Sequence, residues 1–265
     1  MNELQKRVGV SIVFIPLILA AMWFGGWFLT LVFALVSLLC AFEYILMMRR
    51  ASQRVGWHWL PVSVLAYLGV AFLPGWEVQI LWGLFLIAVL GAFFRWDEKN
   101  SLPGMALALF GAVYTGIFPA LIVRLGHGYG ASRLLFWLLI LIWAADSAAY
   151  FVGMAWGRRR NICGISPNKS LEGFIAGAVA PFIIAVILFY TRLVDDLPLL
   201  LLSAFAAGIF GQLGDLAESM FKRFCGVKDS SSLIPGHGGI LDRSDSILLA
   251  GSFLYFALSI LQKVR

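Results

Sequence analysis

Between Asp215 and Ser246 the chain reads DLAESMFKRFCGVKDSSSLIPGHGGILDRSDS, a run of carboxylates, cations and one histidine set around a glycine turn. If the first part is helical through Arg223, then Asp215, Ser219, Lys222 and Arg223 are spaced i, i+4, i+7 and i+8. They then share one face, with Glu218 beside them. An acid followed by bases on one face suits a metal ion held next to a phosphate. Lys228-Asp229 follows, then Pro235-Gly-His237-Gly238-Gly239, whose glycines permit unusual backbone angles and close approach of amides to a ligand. Asp242 and Asp245 flank Arg243 at the start of the next apolar stretch. Ser244 or Asp242 is the expected N-cap there. Two acids with an arginine between them are more than a cap requires.

Two smaller polar islands lie upstream. Asp146, in Trp143-Ala-Ala-Asp146-Ser147, sits inside an apolar stretch, where a carboxylate needs a cation, a metal or a water-filled cavity. In Ile165-Ser-Pro-Asn-Lys169-Ser170-Leu-Glu172-Gly173, Ser170 or Asn168 is expected to cap the following helix, and Glu172 suits its first turn. Capping does not account for Lys169, which is placed to meet an anion at the positive end of that helix. Together the islands read as a hard-oxygen metal site ringed by Lys and Arg. That donor set suits magnesium, alone or with a second cation, and a polyphosphate substrate. No Walker-A loop or dinucleotide fingerprint is present.

The elements that must position these groups are apolar. Of the 265 residues 61% are hydrophobic and only 13% charged, with a mean hydropathy of +0.90. Soluble domains run near half apolar and a quarter charged. The fold class is therefore all-α, a polytopic helical membrane protein forming a single integral membrane domain over 1–265. Spans within 1–125 serve as scaffold, and 133–263 carries the chemistry. Apolar runs long enough to cross a bilayer predict nine spans, at about 8–24, 27–48, 58–73, 78–94, 104–124, 133–153, 173–191, 198–220 and 246–263. The runs are continuous rather than alternating, which argues against a β-barrel.

Charge bias supports that count. With the N-terminus in the cytoplasm, nine spans leave fifteen of the 20 Lys and Arg on the cytoplasmic side, as the positive-inside rule expects. The C-terminus is then outside, and residues 215–246 face the cytoplasm. The net charge of +6 reads first as topology and second as attraction to anionic membrane lipids. Nothing beyond pI suggests nucleic acid as a partner. Cys40, Cys163 and Cys225 form no CxxC pair and read as small apolar fillers. Gly153 with Gly157, Gly173 with Gly177, and Ala204 with Gly208 allow helices to approach closely, within the chain or across a homodimer.

At these residues the chain resembles the CDP-diacylglycerol synthases, also called phosphatidate cytidylyltransferases. The family signature is S-x-apolar-K-R, four residues, K-D, a short spacer, then P-x-H-G-G-apolar-x-D-R-x-D. It is met here by Ser219, Lys222, Arg223, Lys228, Asp229, Pro235, His237, Gly238, Gly239, Asp242, Arg243 and Asp245. The stretches around Asp146 and Lys169 also look like family motifs. Ser244 departs from the usual apolar residue or Thr, and Arg158–Arg160 from a Gly-Lys-His-type run.

The resemblance implies an enzyme of a bacterial-type inner membrane that uses CTP and phosphatidate, with magnesium. Asp215, Asp242, Asp245 and Asp146 are then expected at the metal. Lys222, Arg223 and Arg243 hold phosphates, and Lys169, Ser219, Lys228, Gly238 and Gly239 contact substrate. His237 orients the loop or a phosphate. A transporter would demand duplicated or paired broken helices, and the chain shows no such duplication. A CTP-using lipid kinase, or a synthase acting on an ether-lipid phosphate, is the nearer rival.

Overall fold

A backbone N–H or C=O in lipid must find its partner within its own segment, so long apolar runs become helices. The computed structural model describes residues 3–129, 133–161, 164–234 and 238–261, with side-chain surroundings in the first helix from residue 14 onward. The side chains of Lys6 and Arg7, and Cys163, His237, Lys263 and Arg265, lie outside the described residues.

The helices are α1 Glu3–Phe24, α2 Gly26–Arg50, α3 Trp59–Phe72, α4 Glu77–Phe94, α5 Ser101–Ala112, α6 Phe118–Gly128, α7 Leu134–Trp156, α8 Leu171–Tyr190, α9 Leu197–Phe205, α10 Gln212–Phe224 and α11 Leu241–Ile260. A π-helical turn at Val113–Ile117 joins α5 to α6, and another at Ala206–Gly211 joins α9 to α10. No strand occurs among the described residues, so the all-α expectation holds.

Among the described residues every expected span falls on helix, but the count of nine is not reproduced. Among the described residues six helices are long and apolar enough to cross a membrane, including the continuous stretches Ser101–Gly128 and Leu197–Phe224. α3 has 14 residues. At 1.5 Å per residue it rises about 21 Å, short of a hydrocarbon core of about 30 Å. α11 opens on Asp242, Arg243 and Asp245, which lowers its hydropathy.

The chain forms two compact units: Met1–Arg124 with Lys222–Arg243, and Leu125–Phe221 with Ser244–Arg265. In the first, α2 is the central post. Tyr44 and Tyr67 are almost wholly buried, and their hydroxyls donate to the carbonyls of Leu107 and Thr30 at 2.8 and 2.6 Å. The π turn leaves the Thr115 carbonyl available to the Ser37 hydroxyl at 2.6 Å. In this way buried polar atoms are satisfied without water.

In the second unit, glycines bring α7 and α8 together. A Cβ on Gly173 would meet the Ala149 carbonyl at 2.7 Å, and one on Gly177 the Ala145 carbonyl at 3.0 Å. A Cβ on Gly208 would meet the Ala178 carbonyl at 2.7 Å. The small residues singled out in sequence thus serve packing within the chain.

Candidate functional site

The second unit holds a group of carboxylates. Ligand atoms of Asp215, Glu218 and Asp245 all lie within 4.8 Å of one another. Glu218 is 1% and Asp245 7% exposed, while Asp215 is more open. Two local features make this meeting possible. α10 carries Asp215 and Glu218 less than one turn apart. Gly214, beside Asp215, lies so close to the Asp245 carbonyl that a Cβ there would collide with it. Gln212 fixes the start of α10, its side-chain amide donating to the carbonyls of Gly208 at 2.6 Å and Phe174 at 3.1 Å.

Lys169 completes this cluster. Its Nζ lies 2.7 Å from Asp215 Oδ2, and the Ser219 hydroxyl stands 3.4 Å from Asp215 Oδ1. The loop that carries Lys169 is built as its sequence suggests. The Ser170 hydroxyl caps α8 by accepting from the Gly173 amide at 3.1 Å. The Glu172 carboxylate accepts from the Arg158 and Arg159 amides at 3.2 Å, folding the tri-arginine segment back toward α8. Asp146 is exposed on α7 and within electrostatic reach of Asp215 and Lys169, although it does not belong to the three-carboxylate group.

The first unit holds the other cluster, the loop after α10. Asp242 Oδ1 receives Lys222 Nζ at 2.7 Å. Asp242 Oδ2 accepts from the Ser230 amide at 2.9 Å and the Gly239 amide at 2.7 Å. Gly238 has φ +84°, and a Cβ on it would crowd Asp242 Oδ2 at 2.5 Å. A Cβ on Gly239 would collide with the Ser230 hydroxyl and Glu43. Glycine at both positions is therefore a steric requirement of this loop.

Glu43, on α2, is the residue that sequence reasoning missed. It is fully buried at 0% exposure. Its Oε2 accepts from the Leu241 amide and faces the Ser230 hydroxyl, both at 2.9 Å. Its Oε1 accepts from the Ile240 amide at 2.9 Å and the Ser231 hydroxyl at 2.7 Å. The Ser230 hydroxyl also stands 2.8 Å from Asp242 Oδ2, so its single proton is shared between two carboxylates. The α11 N-terminus is thus capped by Glu43 from α2. The expected Ser244 or Asp242 cap is corrected: Asp242 instead reaches back to Gly239. A negative group at this position also complements the helix dipole.

The expected ligand set therefore divides. Asp215 and Asp245 meet, joined by Glu218, while the oxygens of Asp242 are engaged by Lys222 and the loop. Arg223, Lys228 and Arg243 are exposed, and His237 lies outside the described residues. Cys225 is buried, which raises its thiol pKa and fits an unreactive filler.

The model of the "Cytidylyltransferase family" matches residues 5–261. A phosphatidate cytidylyltransferase of Bacillus subtilis is 36% identical over 225 residues, covering 73% of this chain and 81% of that protein. One from Brucella suis is 33% identical over 264 residues, covering 96% and 93%. One from Haemophilus influenzae is 40% identical over 186 residues, covering 66% and 64%. With a family model matching nearly its whole length, the chain belongs to the cytidylyltransferase family.

Proposed function

We propose that this integral membrane protein is a CTP:phosphatidate cytidylyltransferase, forming CDP-diacylglycerol and pyrophosphate. The observation that carries the chemistry is the Lys169–Asp215 pair set against Glu218 and Asp245. The relatives' names supply the substrates.

In the reaction a phosphate oxygen of phosphatidate attacks the α-phosphorus of CTP in line. The bond to the bridging oxygen of the β-phosphate breaks, and its electron pair leaves with pyrophosphate. Phosphatidate is largely ionised near neutral pH, so neither a protein nucleophile nor a strong base is needed. Catalysis is then positioning and neutralisation of charge.

The donor set of Asp215, Glu218 and Asp245 fits a hard divalent cation, since carboxylate oxygens are the ligands that magnesium prefers. Bound there, magnesium would supply charge for the phosphates. In this reading Glu218 joins Asp215 and Asp245 as a ligand, and Asp146 adds negative charge nearby. Asp242 takes a positioning part instead, holding Lys222 and the Gly238–Gly239 turn. Lys169 guides an incoming phosphate, and Arg223, Lys228 and Arg243 offer exposed cations. The charge bias supports an active site and N-terminus in the cytoplasm and a C-terminus outside.

The test is purified protein in detergent with α-labelled CTP, phosphatidate and magnesium. Label appearing in CDP-diacylglycerol with equimolar pyrophosphate is expected. In a parallel reaction with γ-labelled CTP and diacylglycerol, label transferred to the lipid without pyrophosphate release, and no CDP-diacylglycerol in the first reaction, would overturn the proposal in favour of a lipid kinase.

A further inference from the structure

The first unit contains a cavity of about 630 Å³ that shares no residue with the candidate site. It opens at the end of the helices where α2 and α4 finish and α5 begins. Arg49, Arg54, Arg95 and His58 line it, and among the described residues no carboxylate does. Its remaining wall is mostly apolar or small, with Ala88 and Gly91 of α4, Met105 and Ala108 of α5, and Trp59, and it carries the polar side chains of Ser52, Gln53 and Ser101.

The cavity has a local cause. Ala88 and Gly91 withdraw side-chain volume from α4, and a Cβ built on Gly91 meets nothing within 4 Å. Gly104 lets the 51–58 segment lie against α5, since a Cβ there would stand 3.2 Å from Arg54 Cβ and 3.3 Å from its carbonyl. Topology alone asks only that cations lie at this end of the helices. It does not ask that three of them converge on one concavity.

The cations also differ in how they are engaged. Arg54 pairs with Asp97 at 2.9 Å, and Arg49 lies over the Trp57 ring at 5.5 Å. Among the described residues no carboxylate pairs with the Arg95 side chain. His58 is held below its ordinary pKa by burial and by the Arg95 charge, so near neutral pH it offers a neutral imidazole. The result is a positive mouth over an apolar wall. A phosphate with acyl chains has that same division.

We propose that this cavity is a binding site, separate from the catalytic groups, for a phosphate-bearing anion, and that its apolar wall favours an anionic glycerophospholipid over free phosphate. Guanidinium groups bind phosphate with geometric preference, and the bilayer supplies such headgroups at high local concentration.

The test measures thermal unfolding in a neutral detergent against added phosphatidylglycerol, diacylglycerol or inorganic phosphate. The proteins compared are the native chain, Arg54→Gln/Arg95→Gln, and a control with the same charge loss outside the cavity, Arg50→Gln/Lys99→Gln. Phosphatidylglycerol should stabilise the native chain and the control alike, and its half-saturating concentration should rise roughly tenfold in the cavity variant. Arg95→Gln alone, which breaks no ion pair, should raise it several-fold and stays readable if the double variant is unstable. Inorganic phosphate acting with the same variant dependence would support the anion site and identify its ligand as free phosphate. Equal responses of cavity variant and control, or equal stabilisation by diacylglycerol, would overturn the proposal.

Discussion

The carboxylate of Glu43 accepts the amide of Leu241 at 2.9 Å across 198 residues of sequence. A helix near the beginning of the chain thereby caps the last described helix and fixes the loop that precedes it. The four donors around Glu43 are two amides and two hydroxyls, so it must act as an acceptor on both oxygens. Glu43→Gln turns one side into a donor facing N–H groups and should cost about 1–3 kcal/mol. Glu43→Ala, which leaves those donors buried and unmet, should lower the unfolding temperature further. Activity should fall in the same order, with Ser231→Ala milder than either. Equal unfolding temperatures for all four proteins would refute the capping role.

Asp245→Asn and Glu218→Gln each remove a negative oxygen from a group whose members lie within 4.8 Å. Both should raise the magnesium concentration needed for half-maximal activity by tenfold or more, while leaving the helices folded by circular dichroism. Asp242→Asn should instead lower stability and turnover with little change in magnesium demand. A magnesium shift confined to Asp242→Asn would return ligation to that residue.

Lys169 is partly exposed, so its pair with Asp215 contributes at most about 1 kcal/mol to stability. Its loss should be felt in catalysis. Lys169→Met should keep a near-native unfolding temperature and lose about a hundredfold in kcat/KM, as expected when a charge donor to a phosphate is removed. Lys169→Arg should recover part of that loss. A Lys169→Met protein with native turnover would exclude the residue from the site.

Gly239→Ala places a methyl group against Glu43 and the Ser230 hydroxyl. Crowding of this kind costs about 1–3 kcal/mol, and here it also displaces the amide that Asp242 accepts. Activity should fall more steeply than stability, measured by turnover and thermal unfolding together. Gly91→Ala, where a Cβ meets open space, should change neither by much.

Asp97 provides a pH dependence away from the candidate site. The Asn100 amide first, and also the Arg54 guanidinium and the Lys99 amide, hold its carboxyl below the ordinary value of 3.8. A folded-state pKa below the unfolded one stabilises the fold above the ordinary value, and this contribution is lost as pH falls through the folded value. The unfolding temperature of Asp97→Asn should therefore lie below native by a constant gap from pH 8 to about pH 5, and the gap should narrow below about pH 4. A gap that widens with acidification would contradict this account.

Much of the site was legible in the chain because its logic is local. α10 is a continuous helix from Gln212 to Phe224, so the order Asp215, Glu218, Ser219, Lys222, Arg223 predicted its own face. Ser170 capped the helix it precedes, and Gly238 and Gly239 stood where the backbone had no room for a side chain. Glu43 was not legible. Its partners lie nearly two hundred residues away, and its one local signal is a carboxylate inside an apolar span, the same signal that drew attention to Asp146.

By itself, then, the sequence determined the membrane class, the helical segments and the residue types of the chemistry, because hydropathy and helical periodicity act over a few turns. Tertiary structure alone decided the partners. Asp245 joined Asp215 and Glu218 because Gly214 lets α11 approach α10, whereas the oxygens of Asp242, three residues earlier, were claimed by Lys222, Ser230 and Gly239. Which buried carboxylate meets a cation and which meets an amide depends on contacts between segments remote in sequence, and no spacing along the chain encodes them.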